Sequence, residues 1–156
     1  MKVRLIAVGT RMPKWVEQGV AEFQVRLPRE WRFEIFEIPV AARGDNADLA
    51  RLRKAEGEKM LRAIPAGAEV IAFDERGDAL DTMGWARAVQ GWQRSGRDVA
   101  LLIGGPDGQA PACRSGAQRC WSLSKLTLPH ALVRVLVLEQ LYRAWSVTQG
   151  HPYHRP

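Results

Sequence analysis

Short apolar runs alternate with amphipathic helical patterns about five times along the 156 residues of this chain. Each run has the length of a strand, and each following segment repeats its apolar residues on one helical face. This alternation predicts an α/β fold, with a mostly parallel β-sheet and flanking helices. No linker-like segment or internal repeat interrupts the pattern, so we expect a single domain over residues 1–156.

The predicted elements are five strands and five helices. The strands cover residues 3–9, 32–39, 68–73, 98–104 and 121–128. The helices cover residues 14–27, about 46–64, 82–96, 111–119 and 129–147. Asp45 or Asn46 is the expected cap of the second helix, and residues 74–78 are expected to form a turn.

A formal net charge of +6 favours an anionic partner such as a nucleic acid. The basic residues are scattered, so any contact with RNA must use a folded surface. No apolar run reaches membrane-spanning length, and the opening residues "MKVRLIAVGT" lack the features of a signal peptide. We therefore expect a cytoplasmic protein. Cys113 and Cys120 have no metal-binding spacing and are expected to be small buried or half-buried residues.

The fourth predicted strand ends in a turn with almost no side chains, "GGPDG" at residues 104–108. Such a turn allows a ligand to approach the main chain closely, and ligands of parallel sheets bind beyond the carboxyl ends of the strands. A P-loop is excluded, because Gln109 and Ala110 follow Gly108 where Lys and Ser or Thr are required. A dinucleotide-binding site is also excluded, because its glycines would follow the first strand.

A second polar segment follows the last predicted strand. In "WSLSKLTLPH" the hydroxyl residues Ser122, Ser124 and Thr127 stand between leucines. One interpretation is a half-buried strand that leads into a helix, with Pro129 at its first turn. The other is a second wall of a ligand pocket shared with the glycine turn. Two consecutive loops rich in main-chain donors and acceptors favour the shared pocket.

Three blocks, "LLIGGPDG", "WSLSKLTLPHALVRVLVLEQLYRAWS" and "HPYHRP", resemble a small bacterial family. This family is the large-subunit ribosomal RNA pseudouridine N3-methyltransferases (RlmH type), which belong to the SPOUT class of S-adenosylmethionine-dependent methyltransferases. The resemblance also includes "AVGTRMPKWV" and "RGDNAD". It implies a C-terminal trefoil knot, a homodimer, and methylation of N3 of a pseudouridine in 23S ribosomal RNA, on assembled ribosomes.

The resemblance also implies which residues bind S-adenosylmethionine. They are Phe73, Gly104, Gly105, Leu123, Ser124, Lys125, Leu126, Thr127 and Leu128. On this interpretation the glycines leave room for the cofactor, main-chain groups hold its adenine, and leucines flank the ring.

The candidate catalytic residues are His154, Tyr153 and Arg143, because the resemblance suggests that the tail at 151–156 shapes the active site. His154 could accept the imide proton, and Arg143 could bind a phosphate or the base carbonyls. A frayed, solvated terminus is the alternative for the tail. His151 and His154 are too few ligands for a metal site. For His130 a structural role is favoured over a catalytic one.

The last helix has an apolar face wider than one sheet contact requires, which either the knot or a second subunit must cover. Its residues are Leu132, Val133, Leu136, Val137, Gln140, Leu141, Ala144 and Trp145. Basic residues around the second helix could contact RNA phosphates, or form a solvated face balanced by Glu56 and Glu58. They are Arg43, Arg51, Arg53, Lys54, Lys59 and Arg62.

Two other functions stay open at this point. The first is a SPOUT enzyme that modifies another RNA, such as tRNA. The second is a ribosome-binding factor that keeps the fold without catalysis, against which the intact glycine pair and the unbroken segment 123–128 count.

Overall fold

The computed structural model describes residues 1–42 and 44–155. The strands are β1 (Val3–Val8), β2 (Glu34–Ile38), β3 (Glu69–Ala79), β4 (Val99–Ile103) and β5 (Arg119–Ser122). The helices are α1 (Lys14–Gln24), α2 (Leu49–Arg62), α3 (Thr82–Ser95), α4 (Pro111–Ser115) and α5 (His130–Thr148). Short 3-10 turns occupy Arg29–Trp31 and Pro152–His154.

The five strands form one sheet in the order β2-β1-β4-β3-β5, and every pair in it is parallel. Leu101 of β4 stands beside Leu5 of β1 on one side and Ile71 of β3 on the other. The predicted α/β fold with a parallel sheet is confirmed. The trefoil knot implied by the resemblance stays a prediction.

The sheet is covered on both faces, as parallel sheets require. All five residues of β4, the central strand, are buried. On one face Leu101 packs in a core with residues of α3 and α5, including Trp92 and Leu138. On the other face Leu102 packs against Met60 of α2 and Cys113 of α4. The carboxyl ends of the parallel strands therefore point toward one edge of a three-layer structure.

The predicted turn at 74–78 is wrong, because β3 continues through it to Ala79. Beyond an irregularity after Phe73, Asp78 and Ala79 pair with Trp121 and Ser122 of β5. Gly77 allows this pairing, since a Cβ there would lie 2.7 Å from main-chain atoms of Cys120. The two strands thus approach each other closely beyond the end of β4.

The predicted strand at 121–128 is also wrong in its bounds, since β5 ends at Ser122. The Ser122 hydroxyl donates to the carbonyl of Ser124 (2.8 Å), and the N–H of Leu126 donates to the Ser124 hydroxyl (2.9 Å). These local bonds turn the chain out of the strand. Residues 123–128 are a loop, and α4 stops at Ser115 rather than at residue 119.

Two helix boundaries differ from the prediction. Asp48 caps α2, where its side chain accepts from the N–H of Arg51 (3.2 Å), so neither Asp45 nor Asn46 is the cap. The first helix ends at Gln24 and not at residue 27. Cys113 is buried and Cys120 is half-buried, as expected. Within residues 1–42 and 44–155, no helix has both the length and the apolar character to cross a bilayer.

Two glycine substitutions should change stability in opposite directions. Gly77→Ala should lower the free energy of unfolding by about 1–3 kcal/mol, because its methyl group would overlap the main chain of β5. Gly91→Ala should raise it by roughly 0.5–1 kcal/mol, because Gly91 lies inside α3 with no neighbouring atom within 4 Å of its Cβ position. Urea denaturation of both variants measures the two effects. Equal stability of the Gly77→Ala variant and the wild type would contradict the close approach of β3 and β5.

Candidate active site

A cavity of about 830 Å³ lies at the carboxyl ends of β3, β4 and β5. The glycine turn at 104–108 borders it, and so do the arm of β3 beyond Phe73 and the loop after β5. Ligand pockets in proteins have volumes of roughly 300–1,000 Å³, so this cavity can hold a small molecule.

Eight of the nine residues predicted to bind the cofactor line this cavity. They are Phe73, Gly104, Gly105, Leu123, Ser124, Leu126, Thr127 and Leu128. The ninth, Lys125, is exposed and does not border the cavity. The two loops singled out in the sequence therefore face one cavity.

Phe73 borders the cavity at the point where β3 leaves β4. Its ring is in the core, stacked on Trp85 with a centroid distance of 5.8 Å and edge-on to Trp121 at 6.2 Å. An aromatic cluster therefore stands behind the cavity and fixes the end of the strand. Because its ring is buried in this cluster, only a small part of Phe73 can contact a ligand in the cavity.

The two glycines have a role within the turn itself, and the expectation that they leave room for a cofactor stays a prediction. A Cβ on Gly104 would lie 2.6 Å from Cγ of Gln109, and a Cβ on Gly105 would lie 2.8 Å from Cγ1 of Val8. The glycines are required because the turn folds tightly on itself and against β1. Gly105→Val would consequently disturb the turn itself.

Gln109 fixes the glycine turn to the sheet. Its buried side-chain amide donates to the carbonyl of Leu102 (2.7 Å) in β4 and to the carbonyl of Phe73 (3.1 Å) in β3. The amide oxygen of Gln109 is buried without a partner in the described chain. Because this one side chain contacts both strand ends, it fixes the position of the glycine turn relative to the end of β3. In the sequence, Gln109 indicates only that the glycine turn is not a P-loop.

The loop at 123–128 presents main-chain donors. The N–H groups of Lys125, Thr127 and Leu128 donate to no acceptor among the described residues. The Thr127 hydroxyl donates to a carboxylate oxygen of Glu75 (2.8 Å), which joins this loop to the arm of β3. Leu126, at 72% exposure, is the most solvent-accessible leucine of the segment. The loop thus combines apolar side chains with donors that a polar ligand edge can use.

Charged residues of both signs surround the cavity. Asp74 accepts two bonds from the Arg76 guanidinium, at 2.9 and 3.2 Å, and these bonds hold the pKa of Asp74 below its ordinary value. Arg53 of α2 and Arg114 of α4 also line the cavity, Arg53 beside Asp107 of the glycine turn and Arg114 beside Asp74. Arg53 belongs to the basic residues noted around the second helix, but nothing in the sequence pattern indicates that its side chain reaches the cavity.

His130, the first residue of α5, also lines the cavity. Burial, with a smaller effect of the charge on Arg134, lowers the pKa of this imidazole, so it is neutral at neutral pH. Arg134 is itself buried and bonds Glu37 and the Gly9 carbonyl, both at 2.6 Å. The ring of His130 forms no hydrogen bond with any described residue. A neutral, unpartnered imidazole can accept a proton from a bound molecule.

The three candidate catalytic residues lie elsewhere on the chain, at the other end of α5. Arg143 donates to Glu139 from Nε (2.9 Å) and from a terminal nitrogen (2.6 Å), and the Tyr153 hydroxyl donates to the same carboxylate oxygen (3.1 Å). The Arg143 guanidinium also stands 4.9 Å from the centroid of the Tyr153 ring. Neither they nor His154 border the cavity.

The tail is folded onto α5, which contradicts the alternative of a frayed terminus. Tyr153 packs edge-on against Tyr142 at a centroid distance of 4.6 Å. The N–H of Tyr153 donates to Nδ1 of His151 (3.1 Å), and Nδ1 of His154 is buried without a partner in the described chain. Within the described ranges no group of three or more His, Cys, Asp and Glu is placed to hold a metal ion. Pro156 lies outside the described residues, as does Arg43 of the basic set.

The solvated-face alternative for α2 is wrong in one part. Glu56 is buried, and its carboxylate accepts from the N–H of Ala41 (3.0 Å), so it does not balance charge on an exposed helix face. Arg51, Lys54 and Lys59 are exposed. This helix therefore presents excess positive charge to solvent.

The model of one protein family, described as "Predicted SPOUT methyltransferase", matches residues 1–154. The chain belongs to the SPOUT methyltransferase family. A solved structure with the same fold is that of a methylase family protein from Neisseria gonorrhoeae, at a TM-score of 0.58 and 12% sequence identity. The match covers 90% of this SPOUT methyltransferase and 81% of the Neisseria gonorrhoeae protein.

The cavity of this SPOUT methyltransferase fits a sulfonium methyl donor on the chemistry of its walls. Leucines and unpaired main-chain N–H groups of the loop 123–128 match the faces and the edge of a purine ring. The carboxylates and guanidiniums that also line the cavity match the charged groups of an amino-acid end. The residues present therefore suit S-adenosylmethionine in both of its parts.

Proposed function

We propose that this protein is an S-adenosylmethionine-dependent methyltransferase that methylates N3 of a pseudouridine in large-subunit (23S) ribosomal RNA, within assembled ribosomes. The observation that carries the proposal is that the glycine turn and the loop 123–128 meet at one cavity in a chain of the SPOUT methyltransferase family. The choice of pseudouridine N3 and of the ribosome rests on the sequence blocks that resemble the pseudouridine N3-methyltransferases.

When bound, S-adenosylmethionine supplies an electrophilic methyl group on a positively charged sulfur. The loop 123–128 and the glycine turn hold the donor, and Gln109 keeps these two walls in register with the ends of β3 and β4. The chain then contributes alignment, because holding a nucleophile in line with the methyl group and close to it removes much of the entropic barrier.

The acceptor N3 is an imide nitrogen that carries a proton at neutral pH, so a proton acceptor and a stabilising cation are both useful. We assign the proton acceptor to His130, which is neutral and lines the cavity. His154 is the second candidate, because its Nδ1 is buried without a partner in the described chain. Arg143, held by Glu139, would stabilise the developing imide anion or bind a phosphate of the substrate.

The tail can serve a cavity only if a second subunit presents it. Arg143 follows His130 by thirteen residues on one helix, which corresponds to about 20 Å along the axis of α5. Leu132 and Leu136, one turn apart on α5, are partly exposed and belong to neither core cluster. On α1, which packs against α5, Trp15 is 56% exposed, and Val25, which follows the end of α1, is 81% exposed. These surfaces support a homodimer in which the tail of one subunit completes the cavity of the other.

The proposed activity is tested with labelled S-adenosylmethionine and ribosomes from cells that lack this protein. We expect label in 23S RNA of intact ribosomes, and mass spectrometry of the digested RNA should locate it on N3 of a pseudouridine. Stripped 23S RNA and tRNA serve as comparison substrates. Label in tRNA alone would contradict the ribosomal substrate, and the absence of label in all three would contradict the enzyme activity.

The dependence of the rate on pH tests His130. Because the pKa of His130 is lowered and only the neutral ring accepts a proton, kcat/KM should rise with pH, and the midpoint of this rise should lie below 6.5, the ordinary pKa of histidine. His130→Gln should remove this limb and lower the rate by roughly 100-fold or more. His154→Gln is the matched control and should keep the limb. An unchanged profile in the His130→Gln enzyme, with loss of the limb in His154→Gln, would move the role to the tail.

Subunit complementation tests the tail. One variant lacks residues 151–156, and the other carries Gly104→Val, which cannot form the glycine turn because its Cβ would overlap Gln109. Each variant alone should be inactive, and the tail deletion should still bind S-adenosylhomocysteine. Random pairing of the two in equal amounts makes half of the dimers mixed, each with one complete site of two, so about one quarter of the wild-type activity should return. A mixture no more active than its parents would exclude a tail that acts across the dimer.

A further inference from the structure

Two guanidinium groups on the cavity wall have few partners. Arg53 donates one hydrogen bond, from a terminal nitrogen to the carbonyl of Asp107 at 3.3 Å. Arg114 makes one contact, an ion pair with Asp74 at 3.7 Å. In both side chains Nε is buried without any partner among the described residues. A guanidinium carries five N–H donors, so each group leaves most of its donors unused by the described residues.

A third arginine that lines the cavity, Arg76, has several partners, in contrast to Arg53 and Arg114. Arg76 bonds Asp74 through two nitrogens, at 2.9 and 3.2 Å, and its own N–H donates to that carboxylate at 2.9 Å. Arg76 therefore already neutralises Asp74, and the pKa of Asp74 is lowered chiefly by it. The long contact of Arg114 adds little, so the charge of Arg114 needs another explanation.

Close packing of α2 on α4 places Arg53 and Arg114 on two touching helices. A Cβ on Gly57 of α2 would lie 2.6 Å from Cβ of Ala110 and 3.3 Å from Sγ of Cys113, so the helices touch without an intervening side chain. Both arginines line the cavity, where Arg53 bonds the carbonyl of Asp107 in the glycine turn and Arg114 pairs with Asp74 of β3. Both guanidiniums therefore border the space that a ligand would occupy.

We propose that Arg53 and Arg114 together bind an oxyanion inside the cavity. The proposal rests on the proposed function, because that function supplies two sources of such a group: the α-carboxylate of the methyl donor and a phosphate of the RNA. Planar guanidiniums suit both, since they bind carboxylate and phosphate oxygens through paired, charge-assisted hydrogen bonds. The wall carries three arginines and the three carboxylates of Asp74, Glu75 and Asp107, a balance that also suits an amino-acid zwitterion.

Two ligands that differ in the amino-acid end separate these sources. S-adenosylhomocysteine carries the carboxylate, whereas 5′-methylthioadenosine has the same purine and ribose without it. Their affinities are measured by calorimetry for the wild type and for Arg53→Met, Arg114→Met and the double variant. A short single-stranded uridine oligonucleotide is titrated against the same proteins over a range of salt concentrations.

If the oxyanion is the carboxylate, the double variant should bind S-adenosylhomocysteine about tenfold or more weakly, while 5′-methylthioadenosine binds as before. If it is a phosphate, both nucleoside ligands should bind as before, and the oligonucleotide should bind more weakly with a smaller salt dependence. Unchanged binding of all three probes would overturn the proposal. An equal loss for 5′-methylthioadenosine would overturn it too, since the arginines would then support the fold of the turn.

Lys54→Met is the matched control, because Lys54 neighbours Arg53 on α2 but is exposed and does not line the cavity. It should leave the affinities of both nucleoside ligands unchanged. If wild-type protein binds neither nucleoside ligand, the proposed function fails, and the oligonucleotide titration still decides whether the two arginines bind an oxyanion.

Discussion

The buried amide of Gln109 is the contact on which the arrangement of the cavity depends. By donating to the carbonyls of Leu102 and Phe73, it joins the ends of two adjacent parallel strands and seats the glycine turn between them. The turn packs so closely against Gln109 and against Val8 of β1 that no Cβ fits at Gly104 or Gly105. On this side of the pocket, the main chain sets the shape, and the Gln109 side chain holds that main chain in place. Large side chains are not needed to form this wall.

The fold was predictable because its signal is local. Apolar runs such as residues 99–103 read as buried strands, and five of them between helical patterns lead to a parallel sheet. The bounds were less predictable, because tertiary pairing decided them. The arm of β3 at 74–79 looks like a turn in sequence, yet it is a strand because β5 lies beside it. The loop 123–128 alternates like a strand, but the Ser122 and Ser124 hydroxyls compete with the ladder.

The candidate site was also predictable only in part. Its two loops were predicted because glycine clusters and hydroxyl-rich segments after strands are visible in sequence. Arg53 and Arg114 were not, because helix spacing alone does not tell which basic residue turns inward. The tail was assigned to the active site by resemblance, whereas a single chain holds it at the far end of α5, bonded to Glu139. Only the three-dimensional arrangement reveals that separation.

The length of α5 has a consequence for how this chain can vary. The helix carries His130 at its first residue and the Glu139–Arg143–Tyr153 contacts near its last turns. One inserted residue would rotate everything after it by about 100° and advance it by about 1.5 Å. Only insertions or deletions near whole turns would keep both ends facing their present surroundings. The helix therefore fixes the distance and the angle between its two ends. Insertions and deletions should be tolerated more readily in the surface loops than in α5.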